Sequence, residues 1–454
     1  MRGNSAKPIL SPTALRLLFC FASINTFFSL KHLFFSFSTP DIFRKDFLQE
    51  YLLAKALLQH INPYLPLPDL AKLWVPEALN YYPIQHPIPH TPFVALLCVP
   101  LGYLSYETAA VVWLILQLAA LLTTLALLLH WWEGRIKLSQ LGLALLLVLG
   151  WFPLLEDLWC GQLNTFLLLL LTGAWLALRA ENDQLGGGLL GGLIALKLTA
   201  WPIVIFLALR RRWHAVLTAG LVALLANLSA VAVLGLPVVK YYYLKVGPAV
   251  AEYARSLSVN YSLWTIGTRL FVGVRDGVRT LPVWSSTSLA SLLTLLIPIL
   301  ATLLGLWLAR KAKNFDAAWG LLVVLSIMVS PTIWSHFLLL TVIPLVMLLR
   351  QLRATDFPRS LTVGFYLLVM IFSLPTRFYS NLVTLFAQQT TAEGVPLVPF
   401  SAGLLLLLPL AALGGLFWLL WRMECLQLPQ HASGGLVKEL SVVNKSFHKT
   451  VTIE

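Results

Sequence analysis

A carboxylate, a lysine, a histidine and a few amides stand out in a chain built almost wholly of apolar side chains. Asp46 follows the first hydrophobic stretch. Glu156-Asp157 and Gly161-Gln162-Leu163-Asn164 follow the third, and Lys197 interrupts a glycine-rich apolar run. Asn260-Tyr261-Ser262 stands in a long connection, and Ser330-Pro331-Thr332-Ile333-Trp334-Ser335-His336 breaks another apolar stretch. A carboxylate at a bilayer surface can take the proton of a hydroxyl. An ammonium inside an apolar run is costly unless it is paired or used, and it can hold a lipid-linked phosphate as a point charge. A histidine can donate to a phosphate or sugar oxygen, and Trp334 offers a ring face to a sugar or prenyl chain.

Each residue also has a plainer reading. Asp46 can cap a helix in a wet loop, Lys197 can snorkel to the interface, and His336 can be a satisfied structural side chain. Glu156 and Asp157 suit acid–base work, a metal, or a hydrated turn. Asn260 opens an N-glycosylation acceptor pattern. His86 and His90 have a metal-ligand spacing, but the intervening prolines exclude the helical geometry that spacing needs. The reading requires no cofactor and leaves a metal ion open.

The elements that must position these groups are membrane helices. The 454 residues are 58% hydrophobic and 11% charged, with a mean hydropathy of +0.81. Soluble domains carry about 25% charged residues. The apolar stretches run unbroken rather than alternating, which predicts helices rather than a barrel. Twelve can be drawn: 14–37, 106–130, 138–154, 163–179, 186–197, 200–210, 213–235, 284–309, 317–331, 336–349, 361–376 and 400–422. Several are shorter than the roughly 20 residues that cross a bilayer, so they read as half-helices lining a protein-walled cavity. Pro202 and Pro331 mark the sharpest breaks. The formal charge of +13 is read as topology rather than nucleic-acid binding. Basic clusters at Arg210-Arg211-Arg212 and around Lys311 place those loops, and both termini, in the cytoplasm.

The same topology sends Asp46, Gln162, Asn164, Lys197, Asn260, Trp334 and His336 to the non-cytoplasmic face. One domain, 1–422, is expected to carry two large outer loops, 38–105 and 236–283. Residues 423–454 read as a polar, flexible tail. In the first loop, Phe47 to His60 has helical spacing and reads as a helix lying at the membrane surface. Residues 93–104 read as a short interfacial or re-entrant piece. The run 14–37 is long enough to be a retained first helix rather than a cleaved signal. The four cysteines have no paired spacing.

Taken in order, Asp46-Phe47, Asn62-Pro63-Tyr64, Tyr82-Pro83, the Pro92–Gly102 stretch, Gly161-Gln162-Leu163-Asn164, the glycine-rich run to Lys197, Asn260-Tyr261-Ser262-Leu263 and Ser330 to His336 resemble glycosyltransferase family 87. The resemblance runs over roughly 40–340. It departs at Pro83-Ile84-Gln85-His86-Pro87, where the family has paired prolines.

The resemblance implies an all-α polytopic membrane protein with a GT-C-type fold of about 12 transmembrane or half-membrane helices. It also implies short surface helices in the first outer loop and a sugar donor carried on polyprenyl phosphate. Mannose or arabinose would pass, with inversion, to a hydroxyl of an envelope glycolipid or polysaccharide at a bacterial plasma membrane. Asp46 maps onto the general base, and Lys197 and His336 onto groups near the donor phosphate. Trp334, Gln162 and Asn164 join them on the donor side. Glu156, Asp157, Tyr64, Tyr82 and Asn260 fall behind them or on the acceptor side. A lipid or lipid-linked-sugar transporter is the rival reading, since broken helices with intramembrane charge would suit one.

Overall fold

The computed structural model describes residues 12–82, 86–274, 278–354, 358–391 and 394–426. Of these, 77% are helical. Among the described residues five helices are long and apolar enough to cross a membrane: Tyr106–Glu133, Trp213–Leu234, Thr287–Lys311, Ser335–Arg353 and Phe400–Cys425. Two bent pairs raise the number to seven if each is one span. These are Leu138–Leu149 with Phe152–Cys160, bent by 78°, and Arg359–Ser373 with Thr376–Thr384, bent by 86°. A multi-pass helical membrane protein follows from these elements alone.

The periphery and the interior differ as lipid requires. Trp213–Leu234 exposes Leu217, Leu221, Leu224 and Leu228, and Thr287–Lys311 exposes Leu292, Leu295, Ile299 and Leu303. Leucines facing outward along a whole helix suit a hydrocarbon solvent. Phe315–Met328, by contrast, is buried along nearly its entire length. The shorter helix Asn164–Arg179 has 16 residues, a rise of about 24 Å at 1.5 Å per residue, and packs against Asp183–Leu196.

The glycine-rich run explains how closely that second helix sits on its other neighbour. A Cβ on Gly187 would meet the Ala215 carbonyl oxygen at 2.3 Å, and one on Gly191 would meet that of Ala219 at 2.5 Å. Only glycine allows Asp183–Leu196 to approach the backbone of Trp213–Leu234 this closely. The helix ends at Leu196, and a new one, Trp201–Leu209, starts with Pro202 in its first turn. Lys197 therefore sits at a break between two half-length helices, as the apolar pattern suggests.

The first long connection departs from expectation. Phe47–Leu58 is a helix, but it does not lie on a surface: ten of its twelve residues are buried, including Gln49 and Glu50. Its apolar residues are not confined to one stripe, since Leu48, Leu52, Leu53, Ala54 and Ala56 are all fully buried. It packs under Pro92–Cys98 and Val99–Tyr103, a 12-residue apolar piece too short to span a bilayer. Gly102 makes room for it, because a Cβ there would fall 3.2 Å from the backbone of Ala54.

A small sheet, unsuspected from the sequence, ties the second long connection to the last one. Arg279–Thr280 pairs in parallel with Pro396–Val398, in register Arg279↔Leu397. Gln389–Thr390 pairs antiparallel on the other side.

Candidate active site

Asp46 immediately precedes Phe47–Leu58, but its side chain makes no cap to that helix. Its two oxygens face two neutral donors instead. Oδ1 accepts the Tyr82 hydroxyl at 2.7 Å, and Oδ2 accepts the Gln162 amide at 2.7 Å. Gln49, one turn further along the helix, donates to the Tyr82 hydroxyl at 2.6 Å. A Gln49–Tyr82–Asp46 chain results, with each donor directed toward the carboxylate.

Gln162 reaches Asp46 because of the residue before it. Phe152–Cys160 ends in Gly161, which takes φ +74, a left-handed conformation that glycine adopts freely. A Cβ at Gly161 would also lie 2.7 Å from Cβ of Phe47. Trp113 fixes the turn by donating to the Gly161 carbonyl at 2.7 Å. Gln117 holds the Gln162 carbonyl at 2.7 Å.

Asp157 and Asn164 close the same turn from below. The buried Asp157 carboxylate accepts the Asn164 side-chain amide at 2.7 Å. It also accepts the backbone N–H groups of Asn164 at 3.3 Å and Thr165 at 3.2 Å. It thus caps the N-terminus of Asn164–Arg179, where a helix favours negative charge. Glu156, one residue earlier, points elsewhere. It accepts from the Ser335 hydroxyl and from the backbone N–H of His336, and Ser335 lies 2.6 Å from the Thr376 hydroxyl. The two adjacent carboxylates therefore serve two different junctions.

Lys197 has extended backbone and is tied to the first connection by Thr91, whose hydroxyl donates to the Ala195 carbonyl at 2.6 Å. Its ammonium lies 3.7 Å from the centre of the Phe337 ring, a cation–π contact. Asp46, Glu50 and Asp157 are in its electrostatic range. Among the described residues no carboxylate comes close enough to form a salt bridge with it. His336 is buried, feels the Lys197 charge, and leaves its Nε2 without a hydrogen-bond partner. Trp334 tilts against the His336 ring at 5.8 Å.

Asn260 and Tyr64 are placed further back. Asn260 donates to the Ala254 and Pro331 carbonyls, both at 2.9 Å, and accepts from the Ile333 N–H at 3.0 Å. It clamps the second long connection onto the 330–334 break. Tyr64 donates to the His90 carbonyl at 2.9 Å. His86 meets the Tyr253 ring at 5.5 Å, whereas His90 faces Glu50, so the two do not converge. Pro83, Ile84 and Gln85 lie outside the described residues.

Three contributors escape sequence inspection, Gln49, Glu50 and Gln117, and His90, noted there only for its spacing from His86, faces Glu50. Glu50 Oε1 lies 3.1 Å from His90 Nε2, both fully enclosed. Burial pushes the Glu50 carboxyl well above its usual range. Burial, and then the Lys197 charge, pulls the His90 imidazole down to about 3. Both shifts favour the uncharged forms of the two groups. The spacing of Asp46, Gln49 and Glu50 at i, i+3 and i+4 is the signal that would have found one face of this helix.

A many-helix membrane protein whose carboxylate, ammonium and imidazole gather at one end of the bundle is a membrane enzyme in build. Residues 89–331 match glycosyltransferase family 87, more than half of the 454 residues, and the chain belongs to that family. The matched region includes Gln162, Asn164, Lys197 and Asn260; Asp46, Tyr64, Tyr82, Trp334 and His336 fall beyond it. No curated protein and no solved structure matches the chain.

Proposed function

We propose that this glycosyltransferase moves a sugar, mannose or arabinose, from a polyprenyl-phosphate donor to a hydroxyl of an envelope glycolipid or polysaccharide. The reaction takes place at the non-cytoplasmic face of the plasma membrane, within a GT-C-type bundle of about twelve embedded segments. Asp46 is the general base. The observation carrying this reading is the Tyr82–Asp46–Gln162 clamp, with hydrogen bonds of 2.7 Å on either oxygen. Neutral donors orient a carboxylate without cancelling its charge. A carboxylate has about four lone-pair sites, so two hydrogen bonds leave room for the acceptor hydroxyl.

In the reaction the acceptor oxygen attacks the anomeric carbon from the side opposite the phosphate. The new C–O bond forms as the sugar–phosphate C–O bond breaks. The acceptor proton goes to Asp46, and the bonding pair leaves with polyprenyl phosphate. That leaving group is already a stable anion, so no separate general acid is needed. Lys197, free of any salt bridge among the described residues, and His336, with its open Nε2, offset the charge developing on the phosphate.

The test is turnover in proteoliposomes with radiolabelled mannosyl or arabinosyl polyprenyl phosphate. Asp46→Asn should lower polyprenyl-phosphate release by about 10²–10⁴-fold, the usual range for a general base, without lowering the melting temperature. Undiminished release would remove Asp46 from this role. Protected movement of intact donor without release would make the protein a transporter.

A further inference from the structure

A cleft of about 460 Å³ opens in the first long connection, with none of Asp46, Tyr82 and Gln162 in its lining. Its size falls in the range of small-molecule sites, about 300–1,000 Å³. Phe43, Trp74 and Tyr81 supply ring surface, and Glu77, Asn80 and Glu107 supply oxygen acceptors. Among the described residues no lysine or arginine lines it.

This composition selects among ligands. A phosphate would be repelled by Glu77 and Glu107. A prenyl or acyl tail would have to strip water from two carboxylates and an amide without replacing their hydrogen bonds. A neutral sugar ring meets both demands, because its C–H face packs on an aromatic ring and its hydroxyls donate to carboxylates.

The cleft is built rather than incidental. Phe43 stacks on Tyr81 at 6.2 Å and on Tyr106 at 5.9 Å. The Tyr106 hydroxyl is held by the Ile42 carbonyl and the Tyr51 hydroxyl by the Leu104 carbonyl, each at 2.9 Å. The cleft is also coupled to the chemistry. Tyr81 directly precedes Tyr82, which holds Asp46, and Phe43 lies three residues before Asp46.

The geometry points to this cleft as a subsite for a neutral saccharide, the sugar portion of the acceptor, seated beside the Asp46 loop. Assigning that saccharide to the acceptor rests on the transfer reaction proposed above; the binding chemistry stands without it.

Saturation-transfer NMR on the full-length protein in nanodiscs tests the proposal. The neutral probes are methyl α-D-mannopyranoside and methyl α-D-arabinofuranoside, and choline and inorganic phosphate are the charged competitors. At least one glycoside should bind through its ring protons and resist both competitors. Trp74→Ala should weaken it about tenfold, the scale of one lost aromatic contact with its burial. Glu107→Gln, which keeps the packing intact, should weaken it by a smaller factor. Asp46→Asn should leave binding unchanged. Failure of both glycosides to bind, displacement by choline or phosphate, or unaltered binding in both cleft variants would overturn the subsite. An active Asp46→Asn enzyme would end the base assignment while leaving the cleft result intact.

Discussion

The two ends of the helix pair Asn164–Arg179 and Asp183–Leu196 treat charge in opposite ways. At the end where the chain reverses, carboxylates meet arginines. Arg179 Nε lies 3.0 Å from Asp316, Arg212 pairs with Asp183, and Arg210 donates to the Ala312 carbonyl at 2.8 Å. At the other end, Asp46, Glu156 and Asp157 are held by a phenol, amides, a hydroxyl and backbone N–H groups, while Lys197 rests on an aromatic face. Acidic and basic side chains are both present, yet they are kept apart. Pairing lowers the energy of a fold by neutralising both partners, which also removes them from chemistry. Orientation by neutral donors leaves the charge for a substrate. One end is built to hold, the other to react.

That contrast can be broken from the reactive side first. Lys197→Met keeps the side-chain length and removes the charge. It should lower kcat/KM for the polyprenyl-phosphate donor by about 10²–10³-fold, as loss of one stabilising group does. No salt bridge is lost among the described residues, so the melting temperature should hold or rise. A fall in stability with unchanged kinetics would move Lys197 to the holding class. Arg179→Met is the mirror experiment. Among the described residues Asp316 would keep only the hydrogen bond from Trp175 Nε1 at 3.0 Å, with Arg350 in electrostatic range, and a cost of roughly 1–3 kcal/mol is expected for a half-buried acceptor so deprived. Thermal denaturation in detergent reads it, and kcat per folded molecule should not move. Gln162→Leu should have the smaller kinetic effect, about tenfold in kcat, the worth of one hydrogen bond to a charged group. KM should change little, since in the proposed mechanism Gln162 acts through Asp46.

How much of this is visible in the chain depends on how far each residue's surroundings are sequence neighbours. Lys197 announces itself because charge in an apolar run is rare, and the half-helix break follows from the run lengths beside Pro202. Asp46 and Gln162 are conspicuous for the same reason. Their direct contact is not, because 116 residues separate them and the turn at Gly161 makes the meeting. Asn164, which the resemblance sets on the donor side, and Asp157 and Asn260, which it sets behind or on the acceptor side, have side chains that close on helix ends and loop carbonyls in the fold, contacts that composition does not announce. The bend after Leu149 lies inside one apolar run, 138–154, so hydropathy passes over it. The three strands have two or three residues each, too few for alternation to show. Glu50 is the hardest case, since in Phe47–Leu58 it reads as the wet face of a surface helix. Its burial comes from Pro92–Cys98 and Val99–Tyr103 packing over it, which only the tertiary structure reveals.

Glu50 also gives the finest test of the contrast, through pH. A carboxyl raised by burial contributes stability that is complete below its unfolded value of about 4.5 and declines as pH rises through the folded value. An imidazole lowered to about 3 acts in the other direction: its contribution is complete above about 6.5 and is lost as pH falls toward 3. Stability at alkaline pH is therefore eroded by Glu50 and not by His90. Glu50→Gln keeps the shape and a donor toward His90 but cannot ionise. Its melting temperature should fall less than that of the wild type as pH rises above the ordinary carboxyl value of about 4.5, a difference on the order of 1 kcal/mol for each unit of titration avoided. On the acid side the two proteins should behave alike, because His90 is common to both. Parallel curves over that range would mean that Glu50 is already ionised in the fold, facing the His90 ring as an anion. The reactive end would then bury one more carboxylate charge, and its division from the opposite end would have to be drawn around Asp46 and Lys197 alone.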